Sequence, residues 1–415
     1  MSQTVDLDKG RSDGSDDEPP DDGPPAGGHG GGPGYALDLE PSGGVPVSLA
    51  RRFVLAVAAP IVAIVFSFGV SAIILAVSGN SPVDAYREMW TFGTSLESLI
   101  TSLNRSLPLF LAGMAVAVGF KMGLFNIGVE GQYRLAVLTA AYVGAAVSLP
   151  APLHVLLIVL VAMAVGGAWA GVVGLLKVAR NVNEVVASIM LNFIAINLVA
   201  YLLTNYWQHE DDTLQISTKQ LPRSAQFPSL NPVLEWFGLE PKPGFELFGT
   251  LIPVILLGIG FWLLIWRTRF GFDLRATGAN PFAARLSGVD PPTMVLRAML
   301  LSGAVAGLIG LPALLGDFHQ FDFDFPQQLG FTGIAVALLG RNHPIGIALA
   351  AFLFGWLDRA GQVLDLIGVP KEIVTIMQGI IVISVVIAYE VVGRVARATE
   401  ARAAASAARV TEVGA

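Results

Sequence analysis

The sequence is poor in cysteine and in charge. None of its 415 residues is a cysteine, which excludes disulfide bonds, thiolate metal sites and thiol catalysis. Charged residues make up 14% of the chain, whereas soluble globular domains carry about 25%. Hydrophobic residues make up 53%, and the mean hydropathy is +0.64. This composition predicts extensive lipid-facing surface rather than a soluble domain.

Sequence signatures of common catalytic sites are also missing. No lysine follows a glycine, so the chain has no Gly-Lys-Ser/Thr phosphate loop, and ATP would have to be bound by another polypeptide. Neither a His-Glu-x-x-His nor a Gly-x-Ser-x-Gly motif occurs. Around His319 the acids alternate with phenylalanines over 317–325, which favours an amphipathic segment outside the membrane over a metal site. We expect no metal, no cofactor and no enzymatic activity in this chain.

The acidic balance comes from the N-terminal segment. The net charge is −7, but residues 1–50 contain ten acids and two bases, which leaves 22 acids and 23 bases in the rest. Residues 1–48 are rich in Gly, Pro, Asp and Ser, and such a segment cannot bury enough apolar area to fold. We predict a disordered acidic tail, and not a cleavable signal, which would begin with a short basic stretch and an apolar core.

Apolar runs long enough to cross a bilayer recur through residues 49–395. A membrane-spanning helix needs about 20 apolar residues. The runs predict an all-helical transmembrane bundle of about ten spans, including short discontinuous helices. Their predicted bounds are 53–77, 102–120, 124–148, 153–176, 184–205, 249–266, 293–315, 330–340, 343–358 and 372–391.

Lysine and arginine indicate the orientation, because they are retained on the cytoplasmic side. They are more frequent in the loops that share the side of the N-terminus, so both termini are predicted to be cytoplasmic, with 396–415 as a C-terminal tail. The loop Tyr206–Phe248, with an acidic patch at His209–Asp212, would then lie outside.

Two polar, glycine-rich stretches interrupt the apolar runs, one in each half of the chain. They are Lys121–Gln132 and Gly330–Pro344, and the second predicts two short helices joined at a polar elbow. Interrupted helices in corresponding halves point to a transport site in many transporters. The glycines and polar groups could instead serve close helix packing and hydrogen bonding between helices. The candidate residues of a substrate path are Phe125, Asn126, Glu130, Gln132, Asn192, Phe331 and Thr332.

Two of these candidates have a specific alternative. Glu130 is an acid at membrane depth, which is costly and often functional, but it could pair with Lys121 or Arg134 and hold the fold. Asn192 shares one helix face with Asn183, Glu184 and Ser188. That face could line the path or form hydrogen bonds between helices.

The loop 267–292 contains a predicted short helix. Asn280 can cap it, Pro281 suits its first position, and Gly288 can end it after Ser287. Ala283, Ala284 and Arg285 would lie within it. Such a helix could dock to a soluble partner, or it could lie on the bilayer, held by Arg275 and Arg285.

Three segments together resemble a known family. They are Gly123–Gln132 (GLFNIGVEGQ), Thr277–Val289 (TGANPFAARLSGV) and Gly330–Gly346 (GFTGIAVALLGRNHPIG). In order and spacing they are similar to permease subunits of bacterial ABC importers for nucleosides and simple sugars, the branched-chain amino acid/ribose-type permeases. The likeness covers 50–395 and is strongest to the longer permease of purine-nucleoside importers. The acidic tail and His343, where we expect Asn, depart from the pattern.

The resemblance implies a multi-pass permease of the bacterial plasma membrane that works by alternating access. It implies three partners: a second permease chain, an ABC ATPase with two nucleotide-binding modules that holds ATP and Mg²⁺, and an extracellular substrate-binding lipoprotein. The helix Pro281–Gly288, capped by Asn280, would be the coupling helix seated in the ATPase. The alternative from the residues alone is an ion-coupled secondary transporter of small polar solutes, although long spans such as 53–77 carry no acid.

Overall fold

The computed structural model describes residues 49–209, 215–370, 372–385, 387, 388, 391 and 394, without the side chains of 49–60 and 63. The predicted tails 1–48 and 396–415, and the acids of the patch at 210–212, lie outside the described residues. Regular structure in the described part is helical, apart from isolated bridges between Ser217 and Asp322 and between Ser229 and Phe248. The predicted all-helical class is therefore confirmed.

The helices follow the predicted apolar runs and add several short elements. The first six are α1 (Leu49–Val77), α2 (Pro82–Gly93), α3 (Leu96–Lys121), α4 (Val129–Ala146), α5 (Ala151–Arg180) and α6 (Glu184–Leu202), which continues into a π turn (Leu203–Trp207). The next four are α7 (Asn231–Trp236), α8 (Leu251–Arg267), α9 (Arg269–Ala279) and α10 (Pro281–Leu286). The remainder are α11 (Pro291–Gly307), α12 (Leu311–Ala313), a π turn (Leu314–Phe318), α13 (Leu329–Leu339), α14 (Pro344–Leu366) and α15 (Glu372–Val385).

Among the described residues, five helices are long and apolar enough to cross a membrane. They are α3, α5, α6 with its π turn, α11 through Phe318, and α14; the pair α8 and α9, bent by 65°, makes a sixth if it counts as one span. Shorter apolar helices include α13 and α15. The chain is thus a polytopic helical membrane protein.

The centre of the bundle is formed by α3 and α11, in which 78% of the apolar window is buried, against 33% in α5 and 28% in α6. Glycines let α5 and α11 approach until their backbones touch. A Cβ atom at Gly303 would lie 2.3 Å from the carbonyl oxygen of Gly166, and one at Gly307 would lie 2.0 Å from that of Ala162. Small residues at such crossings are the usual means of tight helix packing in membranes.

The α14 helix is longer than predicted. Of the two short helices predicted at the polar elbow, the first is short, as α13, but the prediction is wrong for the second. The predicted span stopped at Asp358, because that is where charge begins, yet the helix continues to Leu366. Arg105 of α3 donates a hydrogen bond to Asp358, and this ion pair lets the helix carry its charges. Sequence patterns do not reveal a partner 253 positions away.

Residues 317–325, the predicted amphipathic segment, bury two of their phenylalanines. Phe321 and Phe325 are fully buried, whereas Phe323 is exposed. Phe321 also donates its backbone N–H to the Thr218 hydroxyl (3.0 Å) and accepts from the Thr218 N–H (2.9 Å). The segment therefore packs one side against the 215–222 stretch and leaves Phe323 and Asp324 exposed.

Candidate functional site

A buried amide pair lies at the first polar interruption. Asn126 donates from Nδ2 to Gln132 Oε1 (3.0 Å) and accepts at Oδ1 from Gln132 Nε2 (2.9 Å) and from the Gly128 N–H (3.1 Å). Its Nδ2 also donates to Ser302 Oγ of α11 (2.9 Å), and that hydroxyl donates to the Ala115 carbonyl of α3 (2.7 Å). Every hydrogen-bonding position of Asn126 is used.

Asn192 of α6 supports the first turn of α4 from the side. Its Oδ1 accepts from the Gly131 N–H (2.8 Å), and its Nδ2 donates to the Ile127 carbonyl (2.8 Å). The first N–H groups of a helix have no partner within the helix, so Asn192 serves as a capping side chain supplied by a neighbour. Asn192 thus makes the hydrogen bonds to a neighbouring segment that one of the two interpretations of its helix face expects.

Glu130 joins the two interrupted segments. Its carboxylate accepts from the backbone N–H of Gln328 (2.9 Å, at Oε1) and of Gly330 (2.9 Å, at Oε2), at the start of α13. Because Glu130 also lies in the first turn of α4, one buried negative charge stands at two helix N-termini, where it is stabilised by both helix dipoles. These backbone bonds were not anticipated: the expected alternatives were a solute or pairing with Lys121 or Arg134.

The starts of α4 and α13 lie beside the middle of α3 rather than at its end. A Cβ atom at Gly330 would lie 2.4 Å from the Glu130 nitrogen, and one at Gly333 would lie 2.5 Å from Ala112 Cβ. Ala112 precedes Lys121, the last residue of α3, by nine positions, or about 13 Å of helix. Tyr133 adds a hydrogen bond from its hydroxyl to the Pro326 carbonyl. The two interruptions thus meet at one junction inside the bundle.

The remaining candidates of the predicted path lie apart from this cluster. Phe331 is 44% exposed, and Thr332 is half-buried with its hydroxyl donating to the Gln328 carbonyl (3.0 Å). The half-buried Phe125 packs its ring against Phe120 at a centroid distance of 4.8 Å. The structure therefore separates four buried, hydrogen-bonded residues from an exposed face of α13. The buried cluster also contains Ser302, which sequence reasoning missed. The signal that could have identified it is that Ser302 is the one hydroxyl residue in the apolar run 298–315.

The predicted short helix is present as α10. Asn280 caps it by accepting from the Phe282 and Ala283 N–H groups (3.0 Å each), and Gly288 follows with a φ of +83°. Ala284 is buried, whereas Ala283 and Arg285 are exposed. Phe282 and Leu286, one helical turn apart, are 72% and 77% exposed. This helix therefore presents an apolar surface that no described part of the chain covers.

The preceding helix, α9, connects α10 to the first interruption. Sequence analysis predicted a loop there, but Thr268 caps a helix by accepting from the Gly271 N–H (3.1 Å). A Cβ atom at Gly278, near the end of α9, would lie 2.2 Å from the Lys121 carbonyl oxygen, and one at Gly123 would lie 3.6 Å from the Gly278 carbonyl. The base of α10 thus rests by direct backbone contact on the end of α3, where the segment to Asn126 begins.

Two titratable groups flank this region. The Thr293 hydroxyl, which donates to Asp290 Oδ2 (2.5 Å), lowers the pKa of that carboxyl, with smaller effects from the Thr293 N–H, Arg285 and Arg297. His343 packs its ring against that of Trp266 at a centroid distance of 5.3 Å. Within the described residues, no group of three or more His, Asp or Glu side chains could hold a metal ion.

Comparison with known proteins assigns the family. Residues 98–386 match the family described as branched-chain amino acid transport system, permease component. A guanosine ABC transporter permease protein of Bacillus subtilis is 35% identical over 337 residues (80% of this chain and 93% of the relative). A glucose ABC transporter permease protein of Haloferax volcanii is 34% identical over 354 residues (84% and 90%). A nucleoside ABC transporter permease protein of Lactococcus lactis is 30% identical over 336 residues (80% and 90%).

No solved structure matches the chain significantly. The similar proteins are membrane permeases, in agreement with the membrane-spanning helices of this chain. ABC permeases act with an ATPase and a substrate-binding protein. The family assignment is therefore incompatible with the alternative of an ion-coupled secondary transporter. The protein belongs to the family of branched-chain amino acid transport system permease components, and it is a multi-pass membrane subunit of an ABC transporter rather than an enzyme.

Proposed function

We propose that this chain forms the membrane path of an importer for nucleosides or related simple sugars. Two of the similar permeases are named for guanosine and for nucleosides and a third for glucose, at similar identities. These relatives support a solute that contains a sugar ring. The chain itself binds no ATP or other cofactor; ATP and Mg²⁺ act on the partner ATPase, and alternating access carries the solute inward.

The observation that carries this proposal is the exposed α10 helix. Apolar side chains at Phe282 and Leu286 would be costly in water, and exposed apolar patches commonly mark protein interaction sites. Because α10 rests on the end of α3 through Gly278, a push from a bound ATPase would reach the segment that leads to Asn126 and α4. The residues that form this coupling element are Asn280, Pro281, Ala283, Ala284, Arg285 and Gly288.

We further propose ten spans with both termini in the cytoplasm. Helices α4, α8, α13 and α15 coincide with predicted spans, although they are short or weakly apolar by themselves. The junction at Glu130 explains how α4 and α13 can be short, because both begin inside the bundle. The positive-inside distribution then places α9 and α10 on the cytoplasmic side, where an ATPase can reach them.

A second permease chain would complete the path. Phe331 and Thr332 lie on the accessible side of α13, so they are better placed for solute or for the partner permease than the buried Asn126, Glu130, Gln132 and Asn192. In our proposal those four residues keep the path in shape, and Phe125 lies between the two groups. An extracellular binding lipoprotein would deliver the solute.

The experiment is uptake of radiolabelled guanosine, uridine, glucose and ribose by the complete importer in proteoliposomes. Phe282→Asp should abolish ATP-dependent uptake and ATPase association, because a charge replaces the apolar contact. The control is Phe237→Asp, which changes a phenylalanine of similar exposure (67%, against 72% for Phe282) in the opposite loop. Uptake driven by an ion gradient without ATP, or native association of Phe282→Asp with the ATPase, would refute the proposal.

A further inference from the structure

A polar groove opens on the bundle away from the Glu130 junction. It lies between α3, α14 and α15 and encloses a cavity of about 270 Å³. Its polar lining consists of Arg105, Asp358, Gln362, Glu372, Thr375 and Gln378. The volume is close to the lower end of the range of about 300–1,000 Å³ for small-molecule sites.

The composition of the groove is incompatible with a lipid-facing surface. Arg105 and Asp358 form an ion pair whose side chains remain 33% and 60% exposed. Ionisable side chains within spans face water, a cavity or other protein, because exposure to hydrocarbon is costly. On α15, Glu372 and Thr375 are exposed and Gln378 is half-exposed on one face. This side of the subunit therefore faces water or a partner chain.

The groove also lies at the end of the bundle where solute would enter. Arg105 follows the first residue of α3 by nine positions, which is about 13 Å along the helix. In the proposed orientation α3 begins at the outer side, so the groove occupies the outer half of the membrane. The coupling helix α10 and the last turn of α3 are at the opposite end.

The groove offers the hydrogen-bonding capacity that the buried cluster lacks. Asn126 and Glu130 already bond to groups of the chain, so a solute could bind there only by breaking those bonds. In the groove, Thr375 and Glu372 present a hydroxyl and a carboxylate to the cavity, and Gln378 presents its amide oxygen while its Nε2 donates to the Phe354 carbonyl (3.5 Å). Sugar hydroxyls both donate and accept, and these groups match them.

We propose that the groove between α3, α14 and α15 binds the sugar ring of the transported solute during its passage. The inference rests on the proposed function, since it assumes a solute that carries a ribose or a hexose. Arg105 and Asp358 neutralise each other, so the site favours an uncharged polyol over an anion. A few hydrogen bonds at an open site also allow the release that transport requires.

The test compares uptake of guanosine and ribose by the complete importer in proteoliposomes. Thr375→Val and Gln378→Leu remove hydrogen-bonding groups without adding charge. Each should lower the initial uptake rate about tenfold, as expected for the loss of 1.4 kcal/mol, while ATPase activity stimulated by the loaded binding protein stays within about twofold. The control is Thr139→Val on α4, whose hydroxyl bonds to the Leu135 carbonyl of its own helix (2.7 Å).

A second measurement does not depend on transport rates. Because the chain has no cysteine, Thr375→Cys gives this subunit one thiol. It should react with a water-soluble, membrane-impermeant thiol reagent, and guanosine-loaded binding protein with non-hydrolysable ATP should slow the reaction. Reaction only with a lipid-soluble maleimide would overturn the proposal.

The outcomes separate the two proposals. If the native importer transports nucleoside or sugar and both groove variants match Thr139→Val, the groove is not the contact site and the proposed function stands. If the native importer transports neither solute class, the proposed function and the groove assignment fail together.

Discussion

Glu130 shows how one residue can serve two helices. Its two carboxylate oxygens accept one backbone N–H each from residues at the start of α13, while its own backbone begins α4. A buried charge is tolerated only when it is well hydrogen-bonded, and here the donors are fixed parts of the backbone. The costly acid that suggested a solute contact is thus accounted for within the subunit.

The contact at this junction predicts that Gly330→Ala is destabilising. The new Cβ would lie 2.4 Å from the Glu130 nitrogen, and overpacking of this kind costs about 1–3 kcal/mol. The melting temperature of the importer in nanodiscs should fall. Gly379→Ala is the control, because no atom lies within 4 Å of that position, and alanine is favoured over glycine in a helix by about 0.5–1 kcal/mol. Equal melting temperatures of the two variants would contradict the junction.

Asn126→Leu separates a structural role of this residue from a solute contact. The change leaves both ends of the buried Gln132 amide without their Asn126 partner, at about 1–3 kcal/mol for each buried polar group left unsatisfied, while Ser302 keeps its bond to the Ala115 carbonyl. We expect a lower melting temperature and reduced yield of the assembled importer. Asn197→Leu is the control. Asn197 is exposed, and its side chain donates to the Phe193 carbonyl of its own helix. A native melting temperature with lost uptake would instead indicate a solute contact.

At the scale of elements, α9 connects the surface helix α10 to the interior of the bundle. Asn280 ends one helix and caps the next, so the two are joined at a single residue. Gly278 lets their base touch the carbonyl of Lys121 directly. The contact between the base of α10 and the end of α3 is thus made by backbone, with no side chain at Gly278 between them.

Gly278→Ala should therefore weaken coupling more than docking. A Cβ 2.2 Å from the Lys121 oxygen forces α9 away from α3, while Phe282 and Leu286 remain available to the ATPase. We expect solute transported per ATP hydrolysed to fall about tenfold, equivalent to 1.4 kcal/mol. The comparison is Gly260→Ala in α8, where no atom lies within 4 Å. Unchanged transport per ATP, with normal ATPase binding, would show that this contact transmits nothing.

The elements also show which parts of the fold a sequence can predict. Long apolar runs predict α5, α6 and the span from α11 through Phe318 with nearly correct bounds, and Asn280, Pro281 and Gly288 predict α10, because these signals are local. The end of α14 and the buried state of Phe321 depend on distant partners, Arg105 and Thr218. The same holds for the site: the residues Asn126 and Glu130 were identifiable, but their partners Ser302 and Gly330 are set only by the tertiary packing.

For the whole molecule, the proposed orientation can be tested directly because the chain contains no cysteine. Glu240→Cys lies in the long exposed loop before α8, and Ser287→Cys lies just after α10, and both positions are exposed. In intact cells an impermeant maleimide should label this chain at position 240 and should label position 287 only after permeabilisation. The positive-inside rule gives this direction. The reverse pattern would invert the topology and remove α10 from contact with a cytoplasmic ATPase.

The backbone contact between Gly330 and Glu130 restricts how the permease can move. With no side chain between them, a slide of α13 along α4 by one turn, about 5.4 Å, would drive backbone into backbone and break both bonds to the carboxylate. We therefore expect the starts of α4 and α13 to move together through the transport cycle. The helices packed around this junction would then tilt, and the two mouths of the path would open and close by rocking about a fixed point.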